Sequence, residues 1–392
     1  MYTILTSFPA KGCGNIGDKL IEVAFKKIFQ EIRGETEFIS IFREDDLTDQ
    51  LPLINQSKAL LMTAFPIRDV PMYPGVCKLT PDLTDIKVPM IPIGANWNVY
   101  PGDFYDRQKV LYSSKTTSFL RYIADQTGPI SVREYYTGYI LQKHGITNTL
   151  MTGCPSWYDK QYRYQPMKRP DQIKQVVFTP PMGFYYTGQA IEIMKVLAGL
   201  YPDAKKVCLF ICGDAISHPM PEGETGDNSA AMNPEAAVKN ESIRQAAREL
   251  GFVIESAAFD MKKLDFIETC DLHVGYDCHG SLSFLRRRIP SIMIAEDARG
   301  VGFSYTLGLP EFNAFKRCQY PAGPYKRPKN TSGYCDSMEA YEIAPADQTL
   351  PQRIGDFLED QMSCRFSRFA GVADIIDSTW DEKMKPFIES LP

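Results

Sequence analysis

Histidine and tryptophan are scarce in this chain: four and three residues of 392. No CxxC pair is present, and the ten cysteines (13, 77, 154, 208, 212, 270, 278, 318, 335 and 364) are scattered. That excludes the usual zinc spacings and, in a chain this long, a disulfide framework; reduced, mostly buried thiols are expected. No apolar stretch approaches the roughly 20 residues that a spanning helix needs. The opening "MYTILTSFPAKGCGNIGDK" is a short strand-like run followed by glycines, not a secretory leader. A cytoplasmic protein is expected, in which the Asn330 sequon has no consequence. No block of basic residues occurs either, and the net charge is −5 from 48 acidic and 43 basic residues. Nucleic acid is therefore excluded as a partner, since binding phosphate backbones takes clustered Lys and Arg.

What is present is a globular composition, 44% apolar and 23% charged, in a chain too long for one core. Short β-branched runs alternate with amphipathic stretches. "YTILTS" (2–7) precedes "KLIEVAFKKIFQEI" (19–32), where Leu20, Ala24, Ile28 and Ile32 recur every four residues on one helical face. The alternation predicts an α/β fold with parallel sheets covered by helices on both faces. It breaks in the polar, proline-bearing stretch 155–174 and then restarts, which predicts two Rossmann-like, doubly wound domains. The expected boundaries are 1–165, 173–350 and a helical tail at 351–392 that crosses back to the first domain. Residues 217–234 read as a lid-like loop, and 315–334 as a second irregular segment, basic and rich in tyrosine.

Open α/β sheets bind ligands outside the carboxyl ends of their strands, so the residues just past each strand are the candidates. After the first strand, Gly12, Gly14, Asn15 and Gly17 permit close backbone approach, and Asp18 opens a helix. Asp18 either caps that helix, faces a ligand, or does both. Glu37 precedes a strand rather than ending one, so the dinucleotide fingerprint is incomplete. Asn96 and Trp97 follow another strand; Trp97 either packs inside or offers a ring to a sugar. Arg133 and Glu134 stand at a strand end, where Arg133 is a surface pair or an anion clamp. Asp214 and His218 are loop residues, and His273 lies mid-strand as a packed histidine.

His279 differs: it follows a strand and precedes a helix, beside Gly280 and Ser281, whose amides are expected to point outward unpaired. Such a histidine suits a phosphate or carboxylate and can donate a proton near neutral pH. Leu282, Leu285 and Ile289 predict the buried stripe of that helix. Arg286 flanks the stripe while Arg287 and Arg288 point away, so "RRR" reads mostly as a solvated face. The next strand delivers Glu296, Asp297 and Arg299 to the same edge.

"GNIGD" (14–18), "ISVRE" (130–134), "TGCPS" (152–156), "CHG" (278–280) and "RRIPSIMIAED" (287–297) together resemble the polysaccharide pyruvyl transferase family, in order, from residue 12 to 303. The resemblance implies two Rossmann-like domains facing across a cleft in the GT-B arrangement, with no cofactor or metal. It implies transfer of the pyruvyl unit of phosphoenolpyruvate to sugar hydroxyls as a ketal, in cell-surface glycan biosynthesis. His279 matches the family's motif histidine, with a role in binding donor phosphate or donating a proton. "GNIGD" would lie across the cleft with Asp18 as base, and Arg133 would be the cation at the first domain's edge. Gly280, Ser281, Glu296, Asp297, Arg299 and Arg286 would serve the donor; Gly14, Asn15, Gly17, Asn96 and Trp97 the acceptor.

One position departs from the pattern: the family commonly has arginine two residues before this histidine, and here it is Asp277. A unit-charge contact at 4 Å is worth about 4 kcal/mol at an effective dielectric of 20, and the change reverses its sign. A nucleotide-sugar glycosyltransferase therefore stays open, with Asp277 accepting from a hydroxyl, and so does a non-catalytic glycan-binding member. The expected partners are phosphoenolpyruvate or a nucleotide-sugar as donor and a saccharide or lipid-linked saccharide as acceptor. "YKRPK" (325–329) would make a weak peripheral contact at the inner membrane face.

Overall fold

A strand covered on both faces must be apolar throughout, and every residue of Tyr2–Thr6 is buried. The computed structural model describes residues 1–8, 16–68, 71–99, 102–183, 186–211, 234–258, 260–316 and 345–392. Two units emerge: one from the described residues of Met1–Gly12, Asp18–Arg163 and Ile375–Pro392, the other from those of Cys13–Gly17 and Tyr164–Asp374.

The first unit contains β1 (Tyr2–Thr6), β2 (Phe38–Phe42), β3 (Leu60–Thr63), β4 (Pro66–Ile67), β5 (Met90–Ile93), β6 (Asn96–Trp97), β7 (Ile130–Val132) and β8 (Thr149–Met151). Its main sheet has the order β2-β1-β3-β5, all parallel. Left-handed residues at Ala64 and Gly94 break β3 from β4 and β5 from β6, and the two short continuations pair with each other again. Among the described residues these strands are accompanied by α1 (Ile16–Arg33), α2 (Leu51–Gln56), α3 (Phe104–Lys109), α4 (Ser114–Thr127) and α5 (Tyr135–Lys143). On α1 the stripe that recurs every four residues is buried at Leu20, Ala24 and Ile28 and half-buried at Ile32.

The second unit contains β9 (Gln175–Thr179), β10 (Lys205–Phe210), β11 (Phe252–Ser256), β12 (Leu272–Gly275), β13 (Ser291–Ala295) and β14 (Phe312–Asn313). Its parallel sheet runs β11-β10-β9-β12-β13-β14, the 3-2-1-4-5-6 order of a doubly wound nucleotide fold. Around it lie α6 (Thr187–Leu200), α7 (Pro234–Glu249), α8 (Cys278–Leu285), α9 (Ala298–Leu307) and α10 (Leu350–Ser363). Gly355 lets α10 close on α6, since a Cβ there would sit 3.2 Å from Val196 Cγ1.

The tail ends in α11 (Ala370–Thr379) and α12 (Lys385–Glu389), and from Ile375 onward it belongs to the first unit, the return that was expected. Arg33 Nη1 donates to the carbonyls of Glu389 (2.8 Å) and Leu391 (2.9 Å), and the Tyr2 hydroxyl to that of Pro392. The Trp380 ring lies 5.2 Å from Tyr158 and under the Arg163 guanidinium at 3.7 Å. Among the described residues no helix is long and apolar enough to cross a membrane.

The "RRR" expectation needs correcting. Helix α8 stops at Leu285, and Arg288 takes a left-handed conformation (φ 64°), closing the end with Ile289 N–H on the Phe284 carbonyl at 3.0 Å. Helical phase cannot be carried past that point. Arg287 and Arg288 are buried instead of solvated.

Candidate functional site

The strand order of the second unit reverses between β9 and β12, so the crevice past their carboxyl ends is where the fold places a ligand. Gly275 ends β12 directly beside Thr179: a Cβ would meet Thr179 Oγ1 at 2.0 Å and its backbone at 2.6 Å. Past it, Tyr276 N–H donates to the Thr179 carbonyl at 3.0 Å, and Asp277 N–H lies 3.4 Å from Thr179 Oγ1. The chain then enters α8 with Asp277 as N-cap.

Asp277 Oδ1 accepts from Gly280 N–H at 2.6 Å, and the Asp277 carbonyl from Ser281 N–H at 2.9 Å. This corrects the expectation that the amides of Gly280 and Ser281 stand unpaired. The aspartate that departs from the family pattern is the residue that occupies them. His279, 5% exposed, lies in the first turn of this capped helix. The Ser281 hydroxyl is buried and has no hydrogen-bond partner among the described residues. Arg286 is the C-cap of the same helix, seven residues from His279 and so about 10 Å along the axis.

Glu296, just past β13, accepts from Met182 N–H and Gly183 N–H, both at 2.9 Å. Lys239 Nζ holds the same loop from its carbonyls, Pro181 at 2.7 Å and Met182 at 3.2 Å. Burial pushes the Glu296 carboxyl up to about 7, helped by Asp297 and opposed by the two amides and Lys239. Glu296 thus positions the loop after β9. Asp297 caps α9 through Arg299 N–H (2.8 Å) and grips the Arg299 side chain at Nε (3.0 and 3.1 Å) and Nη2 (2.5 Å). Burial works against the Arg299 charge, but Asp297 prevails, with smaller help from Cys278 and Asp277, and its pKa lies above the ordinary value.

His273 is the packed histidine that was expected. Its Nε2 is 3.0 Å from Thr179 Oγ1, its Nδ1 2.8 Å from Ser291 Oγ, and its ring stacks on Phe284 at 4.4 Å. Burial pushes it down to about 3, so it stays neutral beneath the site.

In the first unit Arg133 follows β7 and is 3% exposed. Glu134 caps α5 through Tyr136 N–H at 2.6 Å and Thr137 N–H at 3.0 Å, and the Thr137 hydroxyl donates to it. Burial raises the Glu134 pKa, while Thr137, Tyr136 and Arg133 pull against the rise. Trp97 N–H donates to Thr137 Oγ1 at 2.8 Å, which joins β6 to the Arg133 edge. Asn96 turns its amide onto the Trp97 carbonyl at 2.9 Å. The Trp97 ring is 0% exposed, so it offers no stacking face to a sugar; of the two readings, packing holds.

Asp18 stands half-buried in the first turn of α1, after buried Gly17. Gly12, Gly14, Asn15, Asp214, His218, the 217–233 part of the lid-like loop and the 317–334 part of the basic segment, with "YKRPK" and Asn330, lie outside the described residues. Among the described residues no cluster of His, Cys, Asp and Glu could hold a metal ion.

Two residues that the reading of strand ends passed over stand out. Arg43 and Arg68 are 9% and 6% exposed, each one residue past a strand. The signal was legible: "FRE", "IRD" and "VRE" repeat an apolar residue, arginine and an acid.

A family model described as polysaccharide pyruvyl transferase matches residues 15–297. No curated protein matches the chain. Among solved structures, Anabaena Alr3699/HepE in complex with UDP and glucose aligns at 9% identity over 99% of this chain and 96% of that one, with a TM-score of 0.49. A ugt transferase from Siraitia grosvenorii in complex with UDP aligns at 11% identity over 100% and 99%, TM-score 0.47. S. aureus MnaA with UDP aligns at 12% identity over 100% and 98%, TM-score 0.46.

Proposed function

This chain belongs to the polysaccharide pyruvyl transferase family, transferases of glycan biosynthesis, and from that premise we propose that it moves the pyruvyl unit of phosphoenolpyruvate onto two sugar hydroxyls as a ketal. The place of His279 carries the reading: the first turn of α8, at the edge where the strand order of the second unit reverses. His279 protonates the donor methylene carbon, leaving the adjacent carbon electrophilic. A sugar hydroxyl adds there and gives up its proton, for which Asp18 is the base. Phosphate leaves with the electron pair of its C–O bond, and a second hydroxyl closes the ketal. Of the two hydroxyl protons, one balances the new methyl group and the other leaves on phosphate. Arg299 and Arg133 offset the negative charge of donor and leaving group.

A second reading has its own support. Past β12 and β13, Asp297 grips Arg299, Asp277 also acts on it, and Glu296 lies near Asp297 and Lys239, three carboxyls against two cations. That balance favours hydroxyl groups over a donor with both carboxylate and phosphate, and so favours a nucleotide-sugar.

Calorimetric titration with phosphoenolpyruvate and a panel of nucleotide-sugars, on the native protein and His279→Ala, separates the two. Phosphoenolpyruvate binding that weakens at least tenfold in the variant is the expected result. Nucleotide-sugar binding without phosphoenolpyruvate binding would install the second reading. Binding of neither, with saccharide acceptor present, would leave a non-catalytic glycan-binding member.

A further inference from the structure

Two helices of the first unit start where its strands end, at the edge where an open α/β sheet takes its ligand. Helix α3 comes after β6, and α5 after β7 and Arg133. Phe104, the first residue of α3, is 58% exposed, and Tyr139, one turn into α5, is 40% exposed. Arg107 gathers these rings. Its guanidinium lies 3.6 Å from the centre of the Tyr136 ring, 4.9 Å from that of Phe104 and 5.9 Å from that of Tyr139. The same guanidinium makes no hydrogen bond or ion pair with the described residues, so its N–H rim is open to solvent or a ligand.

The group stands on a fixed support. Asp103 caps α3 through Asp106 N–H at 3.1 Å, and Glu134 caps α5 through Tyr136 N–H. Lys143 Nζ donates to the carbonyls of Gln108 (2.9 Å) and Arg107 (3.3 Å), and the Tyr139 hydroxyl to Gln108 Oε1 at 3.3 Å, which ties α5 to α3. Rings held this way lose little entropy when a ligand meets them. A sugar answers both parts of the surface: its C–H face packs on an aromatic ring, and oxygens at its rim accept from a guanidinium. A lipid layer answers only the rings, because Arg107 lies among them and would have to enter the apolar region with them.

We propose that Phe104, Arg107 and Tyr139 form a saccharide-binding surface at the carboxyl edge of the first unit, the two rings stacking on sugar faces and Arg107 donating to sugar oxygens. Resting on the reading of that unit as the acceptor side, the surface holds a sugar of the acceptor chain other than the one that reacts.

A printed array of neutral and acidic oligosaccharides, probed with the full chain, selects the saccharide. Calorimetry then measures its affinity for the native protein and for Phe104→Ala, Tyr139→Ala, Arg107→Gln and His279→Ala. Each of the first three variants is expected to bind about fivefold more weakly, and His279→Ala as tightly as the native protein. Arg107→Lys keeps the charge and loses the fork, so an intermediate affinity is expected, and it serves should Arg107→Gln fail to fold. Acidic oligosaccharides binding tightest would put a carboxylate on Arg107, neutral ones a hydroxyl; either supports the surface. A silent array overturns it, as does unchanged affinity in the folded ring and arginine variants or affinity lost only in His279→Ala. Sedimentation with phosphatidylglycerol vesicles that is lost in Phe104→Ala, while saccharide affinity is not, would make the patch a membrane contact and also overturn it. Phosphoenolpyruvate affinity is read in parallel and is expected to be unchanged in the ring variants. Its absence in the native protein, with saccharide binding that still depends on Phe104 and Tyr139, would overturn the proposed donor and leave the surface standing.

Discussion

Substituting Glu296 by glutamine tests how the donor-side crevice is built. The carboxyl lies buried against the loop after β9 and accepts from two of its amides. Its pKa is raised to about 7 from 4.5, so between those values the folded protein binds more protons than the unfolded chain. Stability therefore falls as pH rises: the contribution is complete below 4.5 and gone above 7. Integrating the linkage relation, the wild type loses about 2–3 kcal/mol from this group between pH 5 and pH 8. Glutamine cannot titrate, and its NH₂ opposes one of the two amides, a fixed cost of about 1–3 kcal/mol at every pH. Urea denaturation of both proteins at pH 5, 6, 7 and 8 cancels the titrations they share. The stability advantage of the wild type over Glu296→Gln is expected to shrink by about 2–3 kcal/mol across that range. A difference that stays flat, or grows with pH, would show that the two amides outweigh burial and keep the carboxylate ionised.

Other outcomes follow from the same geometry. Asp277→Ala removes the side-chain cap on Gly280 N–H and is expected to cost about 1 kcal/mol in urea denaturation. If phosphoenolpyruvate is the donor, the same variant binds it roughly tenfold more tightly, because a nearby anion is gone; weaker binding would favour a hydroxyl-bearing donor. Trp97→Ala empties a fully buried ring site, with an expected loss of about 3–5 kcal/mol and no change in donor affinity. A stable Trp97→Ala protein that loses saccharide binding would return Trp97 to the ligand.

The alternation of strands and helices was legible because burial on both faces writes continuous apolar runs, and because α1 repeats Leu20, Ala24 and Ile28 on one side. The place of His279 was legible for a similar reason: an apolar strand followed by His-Gly-Ser marks a strand end and a helix start. What single positions do within that frame was less so. Trp97 and a sugar-stacking tryptophan look alike in sequence, and only packing around β6 decides that its ring is inside. The phase of Arg286, Arg287 and Arg288 depended on where α8 stops, and a left-handed Arg288 ended it early. Asp277 read as a lost cation; the structure makes it the cap that takes the amides expected to meet a ligand. Arg43 and Arg68 repeat the strand ending of Arg133, an apolar residue, arginine and an acid, but that pattern does not report that both are buried. Local periodicity reports which face of an element is buried, so the sequence alone determined the elements and the edge to search. Pairing across strands and the end of each helix set which charges meet, and those are properties of the tertiary structure, because they depend on residues brought together from distant segments.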